Sequence, residues 1–86
     1  MKKLLYFSAA WCGPCRMLGP VMEEIADEGI IEVDKIDVDE NQALTQQYGV
    51  RNIPTVLLVD DTGKEVAKKV GANPKTTYIE MINENS

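Results

Sequence analysis

The chain has 86 residues, 44% of them hydrophobic and 27% charged, with a formal net charge of −5. That length makes residues 1–86 one domain, because two cores would each be too small to stand alone. The acidic balance argues against nucleic acid or an anionic membrane as the main partner, since both demand a basic patch. The absence of histidine removes the commonest general base, the commonest metal ligand and any Cys–His nucleophile pair.

Residues 3–8 predict a buried strand. Lys2 and Lys3 ahead of an apolar run resemble the start of a signal peptide, but the run is too short and Cys12 follows at once. With no targeting segment, the expected location is the cytoplasm. No apolar run approaches a membrane span; the longest is Val56-Leu57-Leu58-Val59.

A loop over residues 9–14 leads into a helix from about Gly13 to Glu28. Its apolar positions Leu18, Val21, Met22 and Ile25 fall at helical spacing, and Met17, Leu18 and Val21 are read as packing residues. Pro20 lies inside and is expected to kink it, having no N–H and a ring that meets the preceding turn. Gly29 is a natural stop. Residues 30–38 predict a second strand, with Ile31 and Val33 on one face and Ile36 and Val38 on the other, which suits a strand with helices near both faces.

Asp39-Glu40-Asn41 can cap a short helix over residues 41–48, ending at Gly49. Residues 55–60 and 65–70 predict an antiparallel hairpin around Asp61-Thr62-Gly63-Lys64. After Gly71-Ala72, Asn73 is expected to cap a last helix with Pro74 at its first position. Tyr78, Ile79 and Ile82 are its inward candidates. The order is β-α-β-α-β-β-α, an α/β fold. Its first two strands need a crossover helix and are therefore parallel. A mixed four-stranded sheet flanked by helices results.

The chain has only two cysteines, Cys12 and Cys15. A disulfide closing so short a loop removes little unfolded-state entropy, so the pair is a poor staple. A C-x-x-C pair is also half of a zinc knuckle, but no further Cys or His completes four ligands. Chemistry remains. Cys12 falls where a helix starts, and the unpaired N–H groups and positive dipole end there stabilise a thiolate. Cys12 is the expected attacking sulfur. Cys15, one turn on, can resolve the mixed disulfide formed on Cys12. Gly13 and Pro14 allow the tight helix entry, and Pro14 removes an N–H that would have no partner anyway.

The run Trp11-Cys12-Gly13-Pro14-Cys15 resembles the active site of the thioredoxin family. Arg16-Met17 and Pro20 follow as in the family, as do Lys35-Ile36-Asp37-Val38-Asp39, Tyr48 to Thr55, Asp61 to Lys64 and Val70-Gly71-Ala72. The resemblance spans nearly the whole chain and implies a thioredoxin-like fold. It implies that Pro54 follows a cis peptide bond facing the cysteines, and that Ile53 pairs with a substrate strand. By the same resemblance, Trp11, Gly13, Pro14 and Gly71 border the substrate groove, Trp11 shielding the sulfurs and Gly71 admitting substrate backbone.

Two departures stand out. The family's additional N-terminal strand and helix have no counterpart ahead of Cys12. Its buried aspartate, six positions before the first cysteine, is Tyr6 here, and the tryptophan two positions later is Ser8. Tyr6 and Lys35 are the proton-transfer candidates that the matching positions offer. Tyr6 is a poor base, its ordinary pKa being about 10, and Lys35 lacks its expected acidic partner. Cys15 is therefore expected to lose its proton through water or substrate groups.

The function implied is protein disulfide reduction through Cys12 and Cys15 with no bound cofactor and no metal, by a monomer. Reducing equivalents would come from NADPH through a flavin-dependent thioredoxin reductase, or from a ferredoxin-linked one. Thioredoxin reductase and disulfide-containing proteins are the implied partners. A glutaredoxin-like enzyme using glutathione is the alternative that the short length suggests, and a non-redox binding subunit on the same fold is another.

Overall fold

A computed structural model describes residues 1–86. Seven elements follow in order: β1 (Lys3–Ser8), α1 (Gly13–Asp27), β2 (Glu32–Asp37), α2 (Gln42–Gln47), β3 (Thr55–Val59), β4 (Glu65–Val70) and α3 (Lys75–Glu84). The four strands form one sheet in the order β2-β1-β3-β4. β1 pairs parallel with β2, and β3 pairs antiparallel with both β1 and β4. The crossover pair and the hairpin are as the sequence predicts.

β1 is a central strand buried on both faces, and its side chains alternate between two cores. Leu4 and Tyr6 join Leu18, Met22, Ile25, Val56, Leu58, Tyr78 and Met81 on the face covered by α1 and α3. Leu5 and Phe7 join Ile36, Leu57 and Val59 on the other face. Each such side chain contributes roughly 1.5–3 kcal/mol on full burial. The first core is the larger because two helices close over it.

The buried stripe of α1 is Cys15, Leu18, Met22 and Ile25, a 3-4-3 spacing that keeps one face inward. Cys15 is thus buried by the same periodicity that builds the core. Pro20 lies within the helix, which nevertheless runs to Asp27. Gly29, at φ +69°, then adopts the left-handed conformation that ends it.

Several expectations need correction. β2 is shorter than residues 30–38 suggested. α3 begins at Lys75 with Pro74 as its cap residue and no side-chain cap. Asn73 instead turns back, its amide donating to the Gly71 carbonyl at 3.1 Å, so the tie it makes closes the loop. Asn41 flanks α2 without capping it; its amide donates to the Asp37 carbonyl at 3.0 Å. Met17, read as packing, is 75% exposed, while Met81 is buried. Met17 falls one position before Leu18, off the inward stripe. Met81 takes the position one turn after Tyr78 on the buried face of α3.

Candidate active site

Cys12 and Cys15 form a disulfide at the start of α1, with Cα atoms 5.3 Å apart. Cys12 is the residue flanking the helix, in extended conformation, and its Sγ accepts the Cys15 N–H at 3.2 Å. A turn in which the Cys12 N–H donates to the Ala9 carbonyl at 3.1 Å brings the chain from β1 into the helix. Gly13 and Pro14 are exposed, so the loop between the sulfurs faces solvent. Both cysteines are only 5% exposed and pack with Ala9, Val38 and Ile53. Burial therefore does not distinguish the two sulfurs. Position does, because only Cys12 Sγ sits where first-turn N–H groups point.

The Ile53–Pro54 peptide bond is cis, and Ile53 lies against the cysteine cluster. Neither the N–H nor the carbonyl of Ile53 takes part in a backbone hydrogen bond within the chain. The Pro54 carbonyl, by contrast, accepts the Gly71 N–H at 2.8 Å. Gly71 is at φ +88°, and a Cβ placed on it would meet nothing within 4 Å. Its glycine is thus required by backbone conformation.

Trp11 is 68% exposed. Its indole N–H donates to Asp39 Oδ2 at 2.9 Å, which ties the loop before Cys12 to the end of β2. The ring is anchored beside the disulfide by a polar contact and is mostly wet. Met17, on the first turns of α1, is a second exposed apolar side chain.

The Tyr6 ring is buried in the main core, and its hydroxyl donates to the Cys15 carbonyl at 2.7 Å. Burial raises its pKa above the ordinary tyrosine range, a contact with the Ser8 side chain working in the opposite direction. A phenol with a raised pKa whose proton is already engaged is a donor. Lys35 is exposed and lies beside Tyr6 in the β1–β2 register.

A cleft of about 340 Å³ opens under the first turns of α1, lined by Tyr6, Ser8, Cys15, Lys35 and Asp37 among others. It brings Asp37, a residue to which the family resemblance gives no role, into the same cleft as Cys15. The available signal was the period of two along β2, which puts Asp37 on the same face as Lys35. No group of three or more Cys, Asp, Glu or His side chains, with or without the cysteine pair, is arranged to hold a metal ion. No helix is long and apolar enough to cross a membrane.

The thioredoxin family model matches residues 1–84. Over 84 residues the chain is 50% identical to the thioredoxin of Haemophilus influenzae, a match covering 95% of this chain and 78% of that one. It is 49% identical over 81 residues to thioredoxin 1 of a Nostoc species, covering 92% and 75%. Among solved structures, a mutant thioredoxin from Halobacterium salinarum superposes with a TM-score of 0.90 at 45% identity, covering 98% of this chain and 74% of that one. A redox-capable cysteine pair on this fold, with matches of that extent, makes the chain a protein disulfide oxidoreductase that belongs to the thioredoxin family.

Proposed function

We propose that the protein works as a disulfide reductase, with Cys12 as the attacking and Cys15 as the resolving sulfur. The observation that carries this is the Cys15 N–H donating to Cys12 Sγ at the helix start. That bond and the dipole stabilise negative charge on Cys12, making it the nucleophile. The thiolate attacks a substrate disulfide, a mixed disulfide forms, and Cys15 displaces the second substrate sulfur. The free backbone groups of Ile53 suit pairing with an extended substrate segment beside the sulfurs. Trp11, Gly13, Pro14, Pro54 and Gly71 frame that groove.

The oxidised pair is then re-reduced by thioredoxin reductase, drawing on NADPH through a flavin or on ferredoxin, and the chain itself binds no cofactor. Disulfide-containing proteins in the cytoplasm are the substrates. Couples of this chemistry span about 150 mV, so direction is decided by potential. A redox titration of Cys12–Cys15 against dithiothreitol is expected to place it at the reducing end, with turnover supported by NADPH and the reductase. A potential at the oxidising end would overturn the reductase reading, and turnover supported only by glutathione would favour the glutaredoxin-like alternative.

A further inference from the structure

The resolving step requires Cys15 to lose a proton, and the cleft beneath α1 supplies the place to look. The titratable groups lining it are Tyr6 from β1, Cys15, Arg16 and Glu23 from α1, and Lys35 and Asp37 from β2. Arg16 and Lys35 are cations and offer protons. Tyr6 donates its own to the Cys15 carbonyl. The two carboxylates, Glu23 and Asp37, are the remaining acceptors.

Geometry separates them. Glu23 is exposed and lies eight residues along the helix from Cys15, about 12 Å at 1.5 Å per residue. Asp37 is half-buried. It ends β2 directly beside Ser8, the last residue of β1, at the carboxyl edge of the parallel strands where α1 begins. Period two along the strands puts Tyr6, Ser8, Lys35 and Asp37 on one sheet face, below Cys15. Ser8 is small, so the space between Asp37 and the helix stays open. Asp37 Oδ1 accepts the Asp39 N–H at 2.8 Å, which fixes the carboxylate and leaves Oδ2 without a partner in the chain. At about 340 Å³ the cleft has room for several waters, each occupying about 30 Å³.

We propose that Asp37 is the proton acceptor for Cys15, reached through water in this cleft. The proposal rests on the reading of Cys15 as the resolving sulfur. In the mixed disulfide, Cys12 Sγ is bonded to a substrate sulfur and Cys15 is a thiol. The Cys15 proton passes through water to the Asp37 carboxylate. The Cys15 thiolate attacks Cys12 Sγ, the bond from Cys12 to the substrate sulfur breaks, and its electron pair leaves with that sulfur. The proton on Asp37 returns through water to the departing thiolate. The substrate disulfide has gained two electrons and two protons, one relayed from Cys15 and the other taken from solvent because Cys12 reacts as a thiolate, and the dithiol has become a disulfide.

Stopped-flow reaction of the reduced protein with an aryl disulfide separates the two steps, because Cys12 releases the first aryl thiolate and Cys15 the second. Asp37→Asn retains an oxygen for the Asp39 N–H and removes only the charge. The first release is expected at the wild-type rate, reporting an intact fold. The second is expected to slow at least about tenfold near pH 7, the deficit closing above about pH 9, where a thiol ionises unaided. Glu23→Gln should leave both phases unchanged. The proposal fails if the second phase of Asp37→Asn is unchanged, if its deficit is the same at every pH, or if Glu23→Gln reproduces it. Failure of the underlying reading looks different: Cys15→Ser would then still release the second thiolate.

Discussion

The two ends of α1 are built for opposite purposes. From its second turn to its C-terminal end, Leu18, Met22 and Ile25 enter a core of nine buried residues. Lys75 of α3 reaches across to Glu24, at 2.7 Å, and to Glu28. At its N-terminal end, the buried neighbours of the two cysteines reduce to Ala9, with Val38 and Ile53 partly covering them. One half of the helix is held by volume, the other by a few directed contacts. The lesson is that a reactive pair can change its bonding state at one end of a rod whose other end does not move.

Mutations can break this division. The largest effect should come from Cys12→Ser, which is expected to lower protein disulfide reduction by roughly a thousandfold or more, as removal of a nucleophile does. Unfolding should hardly differ from that of the reduced wild type, which likewise has no disulfide, and only modestly from that of the oxidised form, whose disulfide loop is short. Ile25→Ala should do the reverse. It leaves a cavity in the main core and should cost about 2–5 kcal/mol in urea unfolding, with reductase activity per folded molecule unchanged. A loss of both properties in either variant would show that the two ends are coupled.

Tyr6 joins the two regions, its ring in the core and its hydroxyl on the Cys15 carbonyl. Tyr6→Phe should cost about 1 kcal/mol at neutral pH for the lost hydrogen bond. The tyrosine pKa is raised on folding, chiefly by burial. Its contribution is therefore complete below about pH 10, the ordinary value, and is lost as pH rises through the folded-state value. Chemical unfolding of both proteins at pH 7 and at pH 11 should show the gap between them narrowing at the higher pH. The smallest effect is expected from Lys75→Met, a slight fall in melting temperature that disappears at high salt, because the ion pairs are at the surface.

Much of this organisation was legible in the sequence because it depends on local period. β1 and α1 follow from alternation and from the 3-4-3 spacing, and Gly29 and Gly63 mark their own turns through positive φ. The cysteine pair was legible because so few other residues of its kind compete for the chemistry. Trp11 was harder. Its partner Asp39 lies 28 residues away, and only the packing of β2 beside β1 decides that the ring is pinned at the surface. Asn73 obeyed the chemistry of its type, but chose the Gly71 carbonyl over the helix. Asp37 gained its place from the pairing with Ser8, a register set by the whole sheet.

Placing β1 at the centre leaves β2 and β4 as the margins. Their sequences are Glu32-Val33-Asp34-Lys35-Ile36-Asp37 and Glu65-Val66-Ala67-Lys68-Lys69-Val70. Each margin carries charged side chains beside its unsatisfied backbone groups, and two copies of β2 meeting edge to edge would bring like charges together. Charge on the β2 margin thus disfavours the pairing of two such edges, which is the contact that would extend the sheet symmetrically from one chain to a second copy.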